Sequence, residues 1–102
     1  MNKEKKIIGI FDLVGSFAED KDRAQFIRTK LLAPYLKDGF DVVLDYSKVD
    51  STTQSFTHAL LRENVKDFGI EILDRIYFKN CNEIVQKIIE IVIRYFQQNV
   101  VD

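Results

Sequence analysis

The amino-acid sequence predicts an α/β fold built on a central, mostly parallel sheet of approximately four strands, accompanied by three helices. Three observations support this prediction: short apolar runs rich in β-branched residues, longer segments with apolar residues at three-to-four spacing, and the regular alternation of the two. Such alternation is typical of parallel strands joined by right-handed helical crossovers. With 102 residues, the chain is expected to form a single domain over residues 1–102.

The first predicted strand is the apolar run IIGIF at residues 7–11, and the polar segment at residues 13–22 is predicted to be a loop. Asp20 or Asp22 can cap the helix that follows. The apolar face of this helix consists of Ile27, Leu31, Leu32, Tyr35 and Leu36. Pro34 is expected to kink its last turn, and Gly39 suits the left-handed position just beyond it.

The middle of the chain predicts a core strand at residues 41–46 and a second helix over residues 53–65. Residues 66–73 fit either an extended segment or a loop with a short turn. A third predicted strand covers residues 75–80, and Asn80 or Asn82 can cap the last helix.

The last predicted helix holds Glu83 in its first turn and is apolar on nearly every side over residues 84–96. A helix that packs one face on a sheet needs only a stripe of apolar residues. The excess indicates either a wide core face with scattered exposed apolar residues, or a surface that packs against another chain. The second alternative predicts a homodimer through the C-terminal helix or contact with a partner protein.

Composition and charge exclude several classes of function. The apolar fraction of 46% and the charged fraction of 30% are ordinary for a globular protein. A net charge of −1 favours neither nucleic acid nor a membrane surface as partner, and the basic residues at 3–6 are interpreted as a solvated terminus. Cys81 is the sole cysteine, and no apolar run is long enough for a signal or spanning segment, so we expect a cytoplasmic protein.

Five hydroxyl side chains lie between Ser51 and Thr57, where a strand gives way to a helix, and they suggest either helix capping or chemistry. A catalytic triad would require His58, the only histidine, but its place inside a helix favours a surface residue. Cys81 fits a buried position at a strand end. Phosphate-binding glycine loops are missing. We therefore predict no enzymatic activity, no catalytic residues, no metal and no cofactor.

Asp12, Asp45 and Asp50, at or near predicted strand ends, support an alternative function: a receiver-like or hydrolytic protein with an acidic Mg²⁺ pocket. Lys79 would supply the lysine that such pockets use. Asp45 has a simpler interpretation as the first residue of a turn. A third alternative is a small ligand bound at the strand ends.

Four short motifs carry a resemblance to a known family: FIRTKLLAPYL at residues 26–36, VVLDYSKV at 42–49, TQSF at 53–56 and RIYFKN at 75–80. Together they resemble a bacterial STAS-like α/β family, related to the sulfate-transporter and anti-sigma-factor-antagonist domain, over residues 7–97. The resemblance implies a non-enzymatic, regulatory protein-binding module. It also implies a partner that is a histidine-kinase-like ATPase and a switch by phosphorylation of a serine at the start of the second helix.

The chain departs from the partner-switching motif Asp-Ser-Ser-Gly at that helix start. Thr53 replaces the acid, Gln54 occupies the usual phospho-acceptor position, Ser55 keeps a hydroxyl and Phe56 replaces the glycine. Ser55 is thus the first candidate phospho-acceptor and Ser51 the second. We interpret Ser51 to Thr53 as capping groups. The predicted interaction surface adjoins the exposed side of the second helix and consists of Ser51, Thr52, Thr53, Gln54, Ser55 and Phe56.

Overall fold

A computed structural model describes residues 4–99 of the chain and confirms an α/β fold. Its strands, in chain order, are β1 (Lys5–Gly9), β2 (Phe17–Ala18), β3 (Asp41–Asp45), β4 (Ser51–Thr52) and β5 (Ile76–Lys79). Its α-helices are α1 (Ile10–Val14), α2 (Lys21–Ile27), α3 (Ala33–Lys37), α4 (Gln54–Phe68) and α5 (Glu83–Gln98). A π-helical segment (Arg28–Leu32) joins α2 to α3, and a 3-10 helix (Ile70–Arg75) leads into β5.

The main sheet is parallel, in the order β1-β3-β5. Strand β3 lies in the middle, where Val43 pairs with Ile7 on one side and Tyr77 on the other. Val42 and Leu44 are fully buried, because helices cover a parallel sheet on both faces. The three strands predicted from apolar runs are therefore the three strands of this sheet.

The prediction of a single four-stranded sheet is wrong for the described chain. The main sheet has three strands, and β2 pairs with β4 in a separate parallel sheet of two strands. Phe17 pairs with Ser51, and Ala18 with Thr52. Each of these strands is two residues long, too short to show an apolar pattern.

The prediction of three helices is also wrong, since residues 4–99 contain five α-helices. Strand β1 ends at Gly9, and Ile10 and Phe11, predicted as the end of the first strand, begin α1. The segment predicted as a loop thus holds the last turn of α1 and strand β2. Asp20 caps α2 by accepting hydrogen bonds from the backbone N–H groups of Asp22 and Arg23.

The predicted first helix is divided around Pro34. Proline has no N–H group to donate to the preceding turn. The backbone widens just before it, where the Ala33 N–H donates to the carbonyl of Arg28, five residues back. The distortion lies before Pro34 instead of in the last turn, and α3 then ends near Gly39, whose φ of +92° matches the predicted left-handed position.

Helix α4 is longer than predicted and ends before Gly69, which has a φ of +89°. The ambiguous residues 66–73 are therefore divided between the end of α4 and the 3-10 helix. Asn82, not Asn80, caps α5: its side-chain oxygen accepts a hydrogen bond from the N–H group of Val85 at 2.9 Å.

Arg75 links α3 to the main sheet, a role that the sequence does not signal. Its guanidinium donates to the carbonyl oxygens of Leu36 at 2.9 Å and Phe40 at 2.7 Å, and it pairs with Asp41 at 3.3 Å. These contacts fix the entry to β3 relative to β5. They lie at the opposite end of the parallel strands from the polar residues that follow β3.

Helices α4 and α5 pack beside each other over the core. Phe56 and Leu60 of α4, together with Val85 and Ile89 of α5, are buried. This packing places the start of α4 next to the second half of α5, and a groove opens between them.

Candidate interaction groove

The groove between α4 and α5 has a volume of about 410 Å³. Its lining residues come from three helices: Lys21 of α2, Gln54, Ser55, His58 and Ala59 of α4, and Ile91, Val92 and Tyr95 of α5. It joins two features that the sequence predicts separately, the hydroxyl-rich start of α4 and the excess apolar surface of α5.

Local geometry at the start of α4 directs two side chains outward. The Thr53 hydroxyl accepts a hydrogen bond from the Phe56 N–H group at 3.1 Å and so caps the helix, as predicted. Phe56 turns into the core, while Gln54 and Ser55 are exposed. The Ser55 hydroxyl lies 3.3 Å from that of Thr53. Ser55 is thus accessible to a partner or an enzyme.

Two residues of the predicted surface do not present side chains to solvent. Phe56 is fully buried, and Thr52 is buried with its hydroxyl donating to the carbonyl of Ala18 at 2.7 Å. Neither Thr52 nor Ser51 caps α4, because both belong to β4. Ser51 is half-buried there. The exposed part of the predicted surface therefore centres on Gln54 and Ser55.

The α5 side of the groove is apolar and open. Ile91 and Tyr95 are 45% and 50% exposed to solvent, although both belong to a helix that packs on the core. Val92, between them in the sequence, is buried. This half of the groove thus offers an uncovered apolar wall.

His58 forms part of the floor, contrary to the expectation of a helix-surface residue. It is half-buried, with its ring centroid 5.1 Å from that of Phe96 and 5.8 Å from that of Tyr95. Burial, and then the nearby Arg62 guanidinium, lowers the pKa of His58 below its ordinary value. The lowered pKa favours the neutral form of the His58 ring, which lies beside the aromatic rings of Tyr95 and Phe96.

A second, smaller cavity of about 170 Å³ lies at the carboxyl ends of β1 and β3. Asp12, Asp45 and Lys48 are among its lining residues, together with Ser47. Asp50 does not line it. Ligand pockets in proteins typically measure about 300–1,000 Å³, so the size of this cavity does not favour the small ligand predicted at the strand ends.

The hypothesis of a three-carboxylate Mg²⁺ pocket is wrong in its geometry. No group of three or more histidine, cysteine, aspartate or glutamate residues within residues 4–99 is placed to hold a metal ion. One oxygen of Asp45 instead accepts three hydrogen bonds, from the Ser47 hydroxyl at 2.7 Å, the Ser47 N–H group at 2.9 Å and the Asn80 amide at 3.0 Å. Asp45 thus begins a turn, as its simpler interpretation predicts.

These hydrogen bonds, chiefly from Asn80 and then from Ser47, hold the pKa of the Asp45 carboxyl below its ordinary value.

Cys81 lies nearby and is half-buried. Burial, and then the charge of Asp45, raises the pKa of the Cys81 thiol. A raised pKa disfavours the thiolate that a nucleophilic cysteine requires. His58 lines the groove between α4 and α5 and Cys81 lines a different pocket, so the two residues do not share a site.

No helix within residues 4–99 is both long enough and apolar enough to span a membrane.

Comparison with known proteins adds the family. No curated protein matches the chain, and no solved structure does. The model of one family, described as "STAS-like domain of unknown function (DUF4325)", matches residues 23–86. This match is narrower than the resemblance over residues 7–97. It includes the start of α4 with Gln54, Ser55 and His58, and it ends within the first turn of α5. The chain therefore belongs to this family of STAS-like domains.

Proposed function

We propose that this domain is a regulatory protein-binding module that acts through contacts at the groove between α4 and α5 and not through catalysis. One observation carries the proposal: the exposed side chains of Gln54 and Ser55 lie in the same groove as the exposed apolar residues Ile91 and Tyr95. An apolar wall beside a polar edge is the arrangement that recurs at protein interfaces.

The partner we propose is a histidine-kinase-like ATPase. This identity rests on analogy with the STAS domains that act in partner switching, and the fold by itself does not specify it. The start of α4 suits contact with a carboxylate or phosphate of the partner, since free N–H groups there carry partial positive charge. Lys21, from α2, adds a positive charge at the same groove.

Ser55 is the first candidate for a switch within this interface, and Ser51 is the second. Ser55 is exposed in the first turn of α4, so a phosphate there would be tolerated by the helix terminus. The same phosphate would place about two negative charges in the groove and would weaken a contact with an acidic partner surface. Ser51 is less accessible because it is half-buried in β4.

The first experiment tests the surface. A photo-crosslinking amino acid is placed at Gln54, and a matched variant carries it at Lys37, which is exposed at the end of α3 outside the groove. After irradiation in host lysate, we expect an adduct with an ATPase of the histidine-kinase type from position 54 alone. Identical adducts from both positions, or none from position 54, would contradict the proposal.

The second experiment tests the switch. The captured ATPase is purified and incubated with ATP and the domain, and phosphate is located by mass spectrometry. We expect Ser55→Ala to abolish the modification and Ser51→Ala to leave it unchanged. The reverse result would identify Ser51 as the phospho-acceptor. If neither serine is phosphorylated, the proposed switch is wrong and only the proposed contact surface remains.

A further inference from the structure

The apolar residues that encircle α5 in the sequence form two separate stripes in the structure. One stripe, Val85, Ile89, Val92 and Phe96, is buried in the core. The other is exposed and is called here the α5 stripe: Ile84, Ile88, Ile91 and Tyr95. Its members follow each other at intervals of four, three and four residues, so they line one side of the helix.

Most of the α5 stripe is exposed to solvent. Three of its residues are largely exposed: Ile84 at 58%, Ile91 at 45% and Tyr95 at 50%. The fourth, Ile88, is half-buried. This spacing is that of the seam between two packed helices, where a side chain of one helix fits between side chains of the other. The stripe thus has the form of a helix-packing surface without a partner.

A row of charges accompanies the stripe on its outer side. The residue before each stripe residue is charged and exposed, and the signs alternate: Glu83 is negative, Lys87 positive, Glu90 negative and Arg94 positive. At about 100° of rotation per residue, these four side chains fall on one flank of the stripe. Within residues 4–99, none of the four takes part in an ion pair.

When a second copy of the helix runs antiparallel to the first, each charge in this row lies opposite a charge of the other sign. In two antiparallel copies related by a twofold axis between Ile88 and Ile89, the charged flanks of both helices lie on the same side of the seam. Glu83 of one copy then lies opposite Arg94 of the other, and Lys87 lies opposite Glu90. In a parallel pair, the twofold axis places the two flanks on opposite sides, and the charges do not meet.

The apolar residues fit the same register. Ile84 lies opposite the space between Ile91 and Tyr95 of the second copy, and Ile91 lies opposite the space between Ile84 and Ile88. The two Ile88 side chains lie next to the axis. A single register therefore satisfies both the apolar seam and the charged flank.

We propose that a second copy of this chain binds along the α5 stripe, antiparallel to the first, with Glu83 paired with Arg94 and Lys87 with Glu90 across the seam. Helix α5 has 16 residues and is about 24 Å long. One helix from each copy gives an interface at the small end of the specific range. The dimer is accordingly weak, with a dissociation constant in the micromolar range.

Dimerisation also covers part of the groove, because Ile91 and Tyr95 line both surfaces. The monomer is then the form that binds the partner, and self-association competes with it. This last step rests on the proposed function, whereas the dimer itself does not.

The test uses sedimentation velocity from about 1 µM to about 500 µM, a range that brackets a micromolar dissociation constant. We expect the weight-average mass to rise from 11.9 kDa towards that of a dimer. A mass that stays at the monomer value throughout would overturn the proposal.

Charge reversal tests the register. Lys87→Glu alone sets like charges against Glu90 of the second copy, and Glu90→Lys alone does the same with Lys87. Each changes two symmetric contacts and should weaken the dimer roughly tenfold. An equimolar mixture of the two variants restores opposite charges at both contacts, so it should form a heterodimer more tightly than either variant self-associates. No gain on mixing would contradict the antiparallel register.

Ile84→Glu tests the apolar seam without touching the groove, since Ile84 is not one of the groove's lining residues. It should abolish the dimer and leave crosslinking from position 54 intact. Thermal unfolding at low concentration, where each protein is monomeric, controls for changes in helix stability. With isoleucine kept at position 84, a dimer with failed crosslinking would overturn the proposed partner surface alone, and crosslinking without any dimer would overturn this inference alone. A dimer that persists in Ile84→Glu would also overturn this inference.

Discussion

The groove and the carboxyl ends of the main strands are both lined with polar and ionisable residues, but their side chains are used differently. At the strand ends, one carboxylate oxygen of Asp45 accepts three hydrogen bonds from Ser47 and Asn80. In the groove, Gln54 and Ser55 are exposed, and within residues 4–99 the only side-chain hydrogen bond of either residue joins Ser55 to Thr53.

The polar groups at the strand ends therefore stabilise the fold, whereas those in the groove face solvent and can bind another molecule. At Asp45, one of the two carboxylate oxygens is occupied by hydrogen bonds from Ser47 and Asn80, whereas the hydroxyl and amide groups of Ser55 and Gln54 are exposed to solvent. The strand ends attract attention in the sequence because they resemble active sites of α/β proteins. The partner surface that we propose lies at the groove and not at the strand ends.

The largest expected effect on stability concerns Asp45. Asp45→Ala leaves the Ser47 and Asn80 donors without their acceptor and should lower the free energy of unfolding by about 1 kcal/mol, a value kept small because the site is partly open to water. Urea unfolding monitored by circular dichroism measures it. Ser55→Ala, the matched groove variant, should change stability by a few tenths of a kcal/mol at most. Equal losses of unfolding free energy in Asp45→Ala and Ser55→Ala would contradict the idea that only the strand-end polar groups stabilise the fold.

A smaller effect is expected at Tyr46, the residue that follows Asp45. Its side chain is fully buried, and within residues 4–99 its hydroxyl has no hydrogen-bond partner. Burial also raises the pKa of this phenol. Because a buried polar group without a partner costs free energy, Tyr46→Phe should stabilise the protein by about 0.5 kcal/mol. A loss of 1 kcal/mol or more, of the size typical for a lost buried hydrogen bond, would show that the hydroxyl has a partner after all.

The smallest expected effect is the pH dependence contributed by His58. Its pKa is lowered in the folded protein from an ordinary value of 6.5, so the unfolded chain binds the proton more readily. The contribution of His58 to folding stability is therefore retained above about pH 6.5 and is lost as the pH falls below that value. His58→Gln should flatten the curve of unfolding free energy between about pH 7.5 and pH 5.5, where no other side chain ordinarily titrates. An unchanged slope would indicate that His58 is solvated.

The order of the main elements is predictable from sequence because long patterns carry it. The strand centred on Val43 and the helix that contains Leu60 each show their own spacing of apolar residues. Strands β2 and β4 are held by backbone pairing of two residues each, which leaves no periodic signal. The π-helical segment before Pro34 also leaves no periodic signal in the sequence. Pro34 predicts that the helix is distorted, but not where or in which form.

The site is predictable only in part. The hydroxyl-rich start of α4 and the apolar excess of α5 are both visible in the sequence, but their meeting in one groove depends on how the two helices pack. His58 carried one available signal: it follows Gln54 by four residues and Ser55 by three, which places all three on one side of α4. The burial of Phe56 follows from the same helical spacing, since it lies four residues before the buried Leu60.

Asn82 has a consequence for the opening motions of the protein. Its side-chain oxygen holds the first turn of α5 through Val85, while its amide donates to the carbonyls of Asp50 at 2.9 Å and Val49 at 3.3 Å. One side chain thereby joins the start of α5 to the segment that enters β4 and α4. Because this one side chain bonds to both segments, we expect the first turn of α5 and the segment before β4 to open together, which amide hydrogen exchange would measure.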